Sequence, residues 1–136
     1  MEFFGRYVVY LTFNQICDIN RKMIYSTRGS FSPPNNLFNR DGLEYIIQKI
    51  YDPELNINDH YSLKEKAACL GYYIISRHIF FDGNKRTGIH AAWEFLKANG
   101  INLSLDSSII ELALSMAQNK ANEHDFYNWL IEHQES

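Results

Sequence analysis

The chain has 136 residues, of which 46% are hydrophobic and 21% are charged, and its net charge is −3 at pH 7. This length and balance predict a single globular domain over residues 1–136. The negative charge gives no electrostatic case for binding nucleic acid or an anionic membrane, and no uncharged run approaches the length of a membrane span.

The chain has two cysteines, Cys17 and Cys69, and both lie in apolar helical patterns. This placement predicts buried free thiols in a reducing compartment, although one disulfide between them is also compatible with the sequence. The N-terminus has no basic region before its apolar residues, so no secretion signal is predicted. We therefore expect a cytoplasmic protein.

Apolar residues recur at helical spacing along most of the chain and predict a mainly α-helical bundle. A β-branched and aromatic stretch at residues 6–11 predicts a short strand, and residues 101–105 are candidates for a second strand beside it. Residues 26–36, which are polar and include two prolines, predict a loop. We expect about six helices, at residues 13–25, 41–51, 63–78, 84–99, 107–119 and 123–133.

Two helix starts are marked by capping boxes, in which Thr12 is followed by Gln15 and Ser62 by Glu65. In the third helix, the apolar stripe predicts that His78 lies on the inward face of the final turn.

The turn residues Asp82 and Gly83 separate two helical patterns, so a helix is predicted to begin near Asn84. A helix start leaves backbone N–H groups unpaired and carries roughly +0.5 of a charge. Lys85 and Arg86 add positive charge in the same first turn, where cations oppose the helix dipole. The segment therefore predicts a bound anion, and a phosphate is the natural candidate.

Each of these residues also has a structural explanation. A lone inward histidine is most often a core residue, Asp82 on its own reads as a turn or cap acid, and two neighbouring cations are often only solvated. Asn84 can cap the helix and also donate its side-chain amide to an anion. His78 and Asp82 are four residues apart, but no third ligand is placed for zinc.

The segment from His78 to Thr87, His-x-Phe-x-Asp-Gly-Asn-Lys-Arg-Thr, resembles the signature of the Fic/Doc superfamily. Asn39–Leu43 resembles the family's Arg-Asp-x-Gly-Leu-Leu segment, and Trp93–Gly100 resembles its Phe-Leu-x-x-Asn-Gly helix end. The resemblance implies a Fic/Doc-type helical bundle with a short β-hairpin or flap. In the family, the flap pairs with the backbone of the target; here a plain surface loop is the alternative.

The resemblance also implies roles for the signature residues. His78 would be the general base acting on a hydroxyl of the target, and Asp82 would hold Mg²⁺. The phosphates of ATP would be bound by Gly83, Asn84, Lys85 and Arg86.

Two departures from the AMP-transferring members point to the Doc branch. Those members usually have glycine where Lys85 stands and a second arginine where Ile89 stands. Doc proteins are toxins of toxin–antitoxin pairs that transfer the terminal phosphate of ATP to a translation elongation factor, so an antitoxin and a target protein are the expected partners. Gly83, where Doc often has alanine, keeps AMP transfer as an alternative.

Two further hypotheses belong to other classes. One is a non-catalytic binding module that keeps the fold and an anion site. The other is a metal hydrolase that uses His78, Asp82 and His90.

Overall fold

A computed structural model describes the backbone of residues 2–3, 6–51 and 62–135, and the side chains of residues 8–51 and 62–135. Within this part, the predicted mainly α-helical fold of six helices is confirmed. They are α1 (Phe13–Thr27), α2 (Arg40–Tyr51), α3 (Leu63–Ser76), α4 (Asn84–Ala98), α5 (Ser108–Ala117) and α6 (Glu123–Glu132). None of these helices is long and apolar enough to cross a membrane.

A short antiparallel hairpin precedes the helices, with β1 (Glu2–Phe3) paired to β2 (Arg6–Tyr7). The strand predicted over residues 6–11 is therefore shorter in the structure, where only residues 6–7 are paired. The prediction that residues 101–105 pair beside it is wrong, because Leu103 forms an isolated bridge with Gln134 after α6. The segment after β2 is instead held by Asn99. Its side-chain oxygen accepts from the Val9 N–H and its amide donates to the Val9 carbonyl, at 2.8 Å each.

Reciprocal capping boxes start three helices. Those of α1 and α3 are the predicted pairs, Thr12 with Gln15 and Ser62 with Glu65. A third, Asn122 with Asp125, starts α6. In each case the cap side chain accepts from the third helical N–H, while the third residue's side chain accepts from the N–H of the cap, which satisfies two otherwise unpaired donors.

Helix α3 lies at the centre and packs against α2, α4, α5 and α6. On one side, Phe95 of α4 and Phe126 of α6 are in a fully buried cluster with the α3 alanines; on the other, Leu43 of α2 and Ile74 of α3 pack around Phe80. Phe80 of the signature segment is completely buried and anchors that segment in the core.

Both cysteines are buried and free, as predicted. Burial raises the pKa of the Cys17 thiol to about 11 and that of Cys69 to about 12. Lys66 is also buried: its ammonium donates to the Ile50 carbonyl at 2.6 Å and to the Tyr10 hydroxyl at 2.8 Å. Burial lowers the pKa of Lys66. The ammonium thereby satisfies one of the carbonyls left unpaired at the end of α2.

Helices α3 and α4 approach most closely at two glycines. A Cβ added to Gly88 would lie 2.7 Å from the Gly71 carbonyl oxygen and 2.6 Å from Cγ1 of Ile75. A Cβ at Gly71 would lie equally close, at 2.7 Å, to the carbonyl oxygen of Gly88. The backbones are therefore in contact where α4 leaves the signature segment, and this contact sets the position of the start of α4.

We predict that Gly88→Ala destabilises the protein by about 1–3 kcal/mol, because the methyl group must displace backbone atoms of α3. Urea unfolding followed by far-ultraviolet circular dichroism measures the change. Lys97→Ala, at an exposed position of the same helix, is the control and should change stability by less than about 0.5 kcal/mol. Equal stability of the Gly88→Ala variant and the parent would contradict the close packing.

Candidate functional site

The signature segment forms the turn between α3 and α4. Helix α3 ends at Ser76, and the N–H of Arg77 donates to the Tyr73 carbonyl at 2.9 Å. His78 follows with a positive φ of 52°, and Ile79 and Phe80 then enter the core. The left-handed conformation at His78 is uncommon for a residue with a side chain and marks the turn by which the chain leaves α3.

The prediction that His78 points inward from the last helical turn is wrong. The helix ends two residues before His78, and the histidine is exposed at the surface. The apolar periodicity continues into Ile79 and Phe80, but their burial is achieved by a turn. The imidazole is therefore accessible to a second molecule.

Asn84 closes this turn with its side chain. Its Oδ1 accepts from the Phe80 N–H at 2.8 Å, and its Nδ2 donates to the Phe80 carbonyl at 2.7 Å. The same Nδ2 lies 3.5 Å from Nδ1 of His78. The amide that the sequence predicted as a cap or an anion donor thus joins the start of α4 to the histidine turn.

The start of α4 has no capping side chain. Gly83 is the N-cap residue, with a positive φ of 81°, and it cannot supply a side-chain acceptor. The Gly83 N–H donates to Oδ1 of Asp82 at 2.9 Å. Within the described residues, no side chain accepts from the N–H groups of Asn84, Lys85 or Arg86. These donors face the same region as the positive end of the helix dipole.

Lys85 and Arg86 are exposed in this first turn. Among the residues that the structure describes, neither makes a hydrogen bond or an ion pair. Two cations thus stand at a helix end whose dipole opposes them, with no carboxylate of the described chain in contact. This arrangement favours a bound anion.

Asp82 is exposed, and both of its carboxylate oxygens accept a backbone N–H. Oδ1 accepts from Gly83, and Oδ2 accepts from Ser30 at 3.0 Å. A Cβ added to Gly29 would lie 2.6 Å from Oδ2. The loop after α1 therefore passes directly over this carboxylate and fixes its orientation.

Two buried asparagines and a threonine form hydrogen bonds on the interior side of the turn. Asn20 of α1 donates from Nδ2 to the Asp82 carbonyl at 2.9 Å and to the Thr87 hydroxyl at 3.0 Å. Asn36 donates to Oδ1 of Asn20 at 3.0 Å and to the Asp82 carbonyl at 3.2 Å. Asn20, Asn36 and Thr87 are fully buried. We call these three residues the asparagine network.

The asparagine network is the part of the site that sequence reasoning missed. The signature implies no role for Thr87, and Asn20 lies on the otherwise apolar stripe of α1, outside any motif. A polar residue on that stripe, between the buried Ile16 and Ile24, was the available signal, because a buried amide requires partners. Two of its partners, Asp82 and Thr87, are more than 60 residues away in the chain, so the sequence did not identify them.

The loop after α1 is also attached to the histidine turn. Leu37 and Phe80 form an isolated antiparallel bridge, and the Phe81 N–H donates to the Asn36 carbonyl at 2.9 Å. Residues 25–30 are exposed, which fits the predicted loop, whereas Asn36 at its far end is buried. This loop is therefore attached beside the site at both ends, through Ser30 at its exposed end and Asn36 at its buried end.

His90 and Glu94 line a cavity of about 260 Å³ between α1 and α4, with Lys22 of α1 opposite. Burial lowers the pKa of His90, while the Glu94 carboxylate raises it and the charge of Arg86 lowers it further. The described residues contain no group of three or more His, Cys, Asp or Glu side chains that could hold a metal ion. His78, Asp82 and His90 thus do not form a three-ligand centre.

The sequence profile of the Fic/DOC family matches residues 10–96, which is well over half of the chain. This chain belongs to the Fic/DOC family. The match includes α1 to α3, all but the last two residues of α4, the signature segment and the whole asparagine network, and it leaves α5 and α6 outside.

One curated relative of this Fic/DOC protein is Toxin Doc from Mycolicibacterium smegmatis. The two are 45% identical over 47 residues. The aligned stretch covers 35% of this chain and 36% of the relative, so it represents little more than a third of either protein.

We predict that Asn20→Ala destabilises this Fic/DOC fold by about 1–3 kcal/mol, because it removes one buried hydrogen-bond partner each from Asp82, Thr87 and Asn36. Urea unfolding measures the loss. Asn14→Ala, the same exchange at an exposed position of the same helix, is the control. Indistinguishable unfolding midpoints for the two variants would contradict the network.

Proposed function

We propose that this protein is a Doc-type toxin that transfers the terminal phosphate of Mg·ATP to a hydroxyl of a target protein, a translation elongation factor. The observation that carries the proposal is Lys85 in the exposed first turn of α4, where AMP-transferring members of the family usually have glycine. A lysine fills space that glycine leaves open, so the nucleotide binds in the reverse orientation. The relative named Toxin Doc supports the same branch.

The phosphates of ATP would lie at the start of α4. The backbone N–H groups of residues 84–86 are free of side-chain acceptors in the described chain, and Gly83 places no side chain there. Lys85 supplies a mobile positive charge, and Arg86 supplies a planar guanidinium that can bind two phosphate oxygens at once. Bound phosphate would remove the unfavourable contact between these cations and the helix dipole.

Asp82 is the candidate ligand for Mg²⁺, which prefers one or two carboxylates together with phosphate oxygens. Each oxygen of Asp82 accepts one N–H and retains capacity for a further partner, so the residue fits this role. Bound Mg²⁺ would neutralise charge on the phosphates as the terminal phosphoryl group leaves.

His78 would act as the general base. The target's hydroxyl oxygen forms a bond to the γ-phosphorus, the bond from that phosphorus to the β–γ bridging oxygen breaks, and ADP leaves. The hydroxyl proton passes to an imidazole nitrogen of His78. The exposure of His78 at the turn allows a protein-sized substrate to reach it.

Transfer of AMP is the second candidate reaction, and Gly83 favours it because Doc proteins often have alanine there. The same residues would then bind the nucleotide in the opposite direction, and the target hydroxyl would attack the α-phosphorus. Lys85 and Ile89 argue against this reaction.

We place the protein in the cytoplasm under the control of a separate antitoxin. The buried free thiols are compatible with a reducing compartment. Ser107 and Glu111 have the spacing of the inhibitory helix motif of Fic proteins, Ser/Thr-x-x-x-Glu-Gly/Asn, but Leu112 stands where that motif requires glycine or asparagine. A separate inhibitor is therefore the simpler form of control.

ATP that is labelled on a single phosphate distinguishes transfer of the terminal phosphate from transfer of AMP. We expect purified protein with Mg²⁺ and a purified bacterial translation elongation factor to transfer label from the γ-phosphate and not from the α-phosphate. Label transferred only from the α-phosphate would reject phosphotransfer and favour AMP transfer. No transfer from either position, to the factor or to any protein of a bacterial extract, would favour the non-catalytic module.

His78→Ala should abolish both transfer and growth arrest while the protein stays folded. Because φ at residue 78 is positive, His78→Asn is a useful second variant, since asparagine tolerates this conformation better than alanine. Thermal unfolding and circular dichroism check the fold, and colony counts after induction check toxicity. Undiminished growth arrest by a folded variant would remove His78 from the mechanism.

A further inference from the structure

We propose that Phe38 is a positioning residue that holds the His78 imidazole in its working orientation. The inference rests on the proposed role of His78 and assigns to its surroundings a function that the signature motif does not contain. The Phe38 and His78 rings are 5.3 Å apart between centroids and meet at 81°, the edge-to-face geometry favoured by aromatic pairs.

The backbone of Phe38 is fixed to the histidine turn. Its N–H donates to the Ile79 carbonyl at 2.9 Å, and the N–H of Asn39 donates to the same oxygen at 2.9 Å. The neighbouring bridge between Leu37 and Phe80 continues this attachment. Phe38 therefore moves together with the residue that follows His78, so its ring can impose an orientation on the imidazole.

The His78 ring has few other restraints. It is exposed, and the one polar side chain near it within the described residues is Asn84, whose Nδ2 is 3.5 Å from Nδ1. A contact of this length is a weak hydrogen bond at best. An exposed side chain with so weak a tether would otherwise move among several staggered rotamers. The contact with Phe38 is thus the main restraint on the imidazole.

The exposure of Phe38 also favours a functional role. Phe38 is 60% exposed and Phe81, which meets it edge-to-face at 5.3 Å, is 50% exposed. Neither phenyl group gains much from burial, so stability alone does not account for their placement. The three rings form a row in which Phe81 contacts Phe38 and Phe38 contacts His78. Phe81 touches Phe38 and makes no described ring contact with His78, which makes it a matched control.

The first experiment measures the imidazole directly and requires no nucleotide or target. Diethyl pyrocarbonate acylates accessible histidine nitrogens, and mass spectrometry of peptides gives the rate at each histidine. His124, exposed on α6, is the internal reference. We expect Phe38→Ala to raise the ratio of the His78 rate to the His124 rate, because it uncovers and frees the ring, whereas Phe81→Ala leaves the ratio unchanged. An unchanged ratio in Phe38→Ala would overturn the proposal.

The second experiment measures transfer of label from γ-labelled ATP to the purified elongation factor. We expect Phe38→Ala to lower the rate about tenfold or more, as misplacement of a catalytic group does. Phe38→Tyr, which keeps the ring, should restore the rate. A rate for Phe38→Ala within about twofold of the parent would contradict the positioning role, since misplacement costs far more. If the parent itself transfers no label, the proposed function fails, while the acylation ratio still decides whether Phe38 holds His78.

Discussion

The backbone carbonyl of Asp82 accepts hydrogen bonds from two buried asparagines, and the geometry of the site depends on this shared acceptor. Asn20 brings α1 to it, Asn36 brings the loop after α1, and Asn20 also reaches the hydroxyl of Thr87 in α4. Amide side chains suit this position because each can donate and accept at once. Three separate segments are thereby fixed around one turn in a region that excludes water, where an unpaired polar group is costly.

The same turn carries an electrostatic conflict that the folded chain does not resolve by itself. Lys85 and Arg86 lie at the positive end of the α4 dipole, while the acid of the turn, Asp82, accepts N–H groups of Gly83 and Ser30. The close contact of Gly71 and Gly88 holds α4 in place, so the helix cannot tilt to relieve the conflict. The phosphate ligand proposed above would relieve it, and a ligand that binds only the folded state also stabilises that state.

Local signals predicted much of this fold. The capping boxes at Thr12 and Ser62 start their helices where the spacing indicated, because the donor and acceptor are three residues apart and require no distant partner. The end of α3 was placed too late, because apolar periodicity does not reveal a left-handed turn at His78. The partners of Asn20 and Phe38 were not predictable for a related reason: contacts between distant segments depend on the packing of whole helices. The signature motif predicted the candidate site, and the tertiary structure shows which distant residues hold that segment in place.

The left-handed backbone at His78 has a consequence for how this chain tolerates change. A residue with a side chain in this conformation costs about 1 kcal/mol relative to glycine. Replacing the histidine by glycine would therefore relax the backbone, so selection for stability alone would favour its loss. In the proposed mechanism, stability and activity are therefore opposed at His78, and a variant of this chain that no longer needed a base there could exchange the imidazole for a more stable fold.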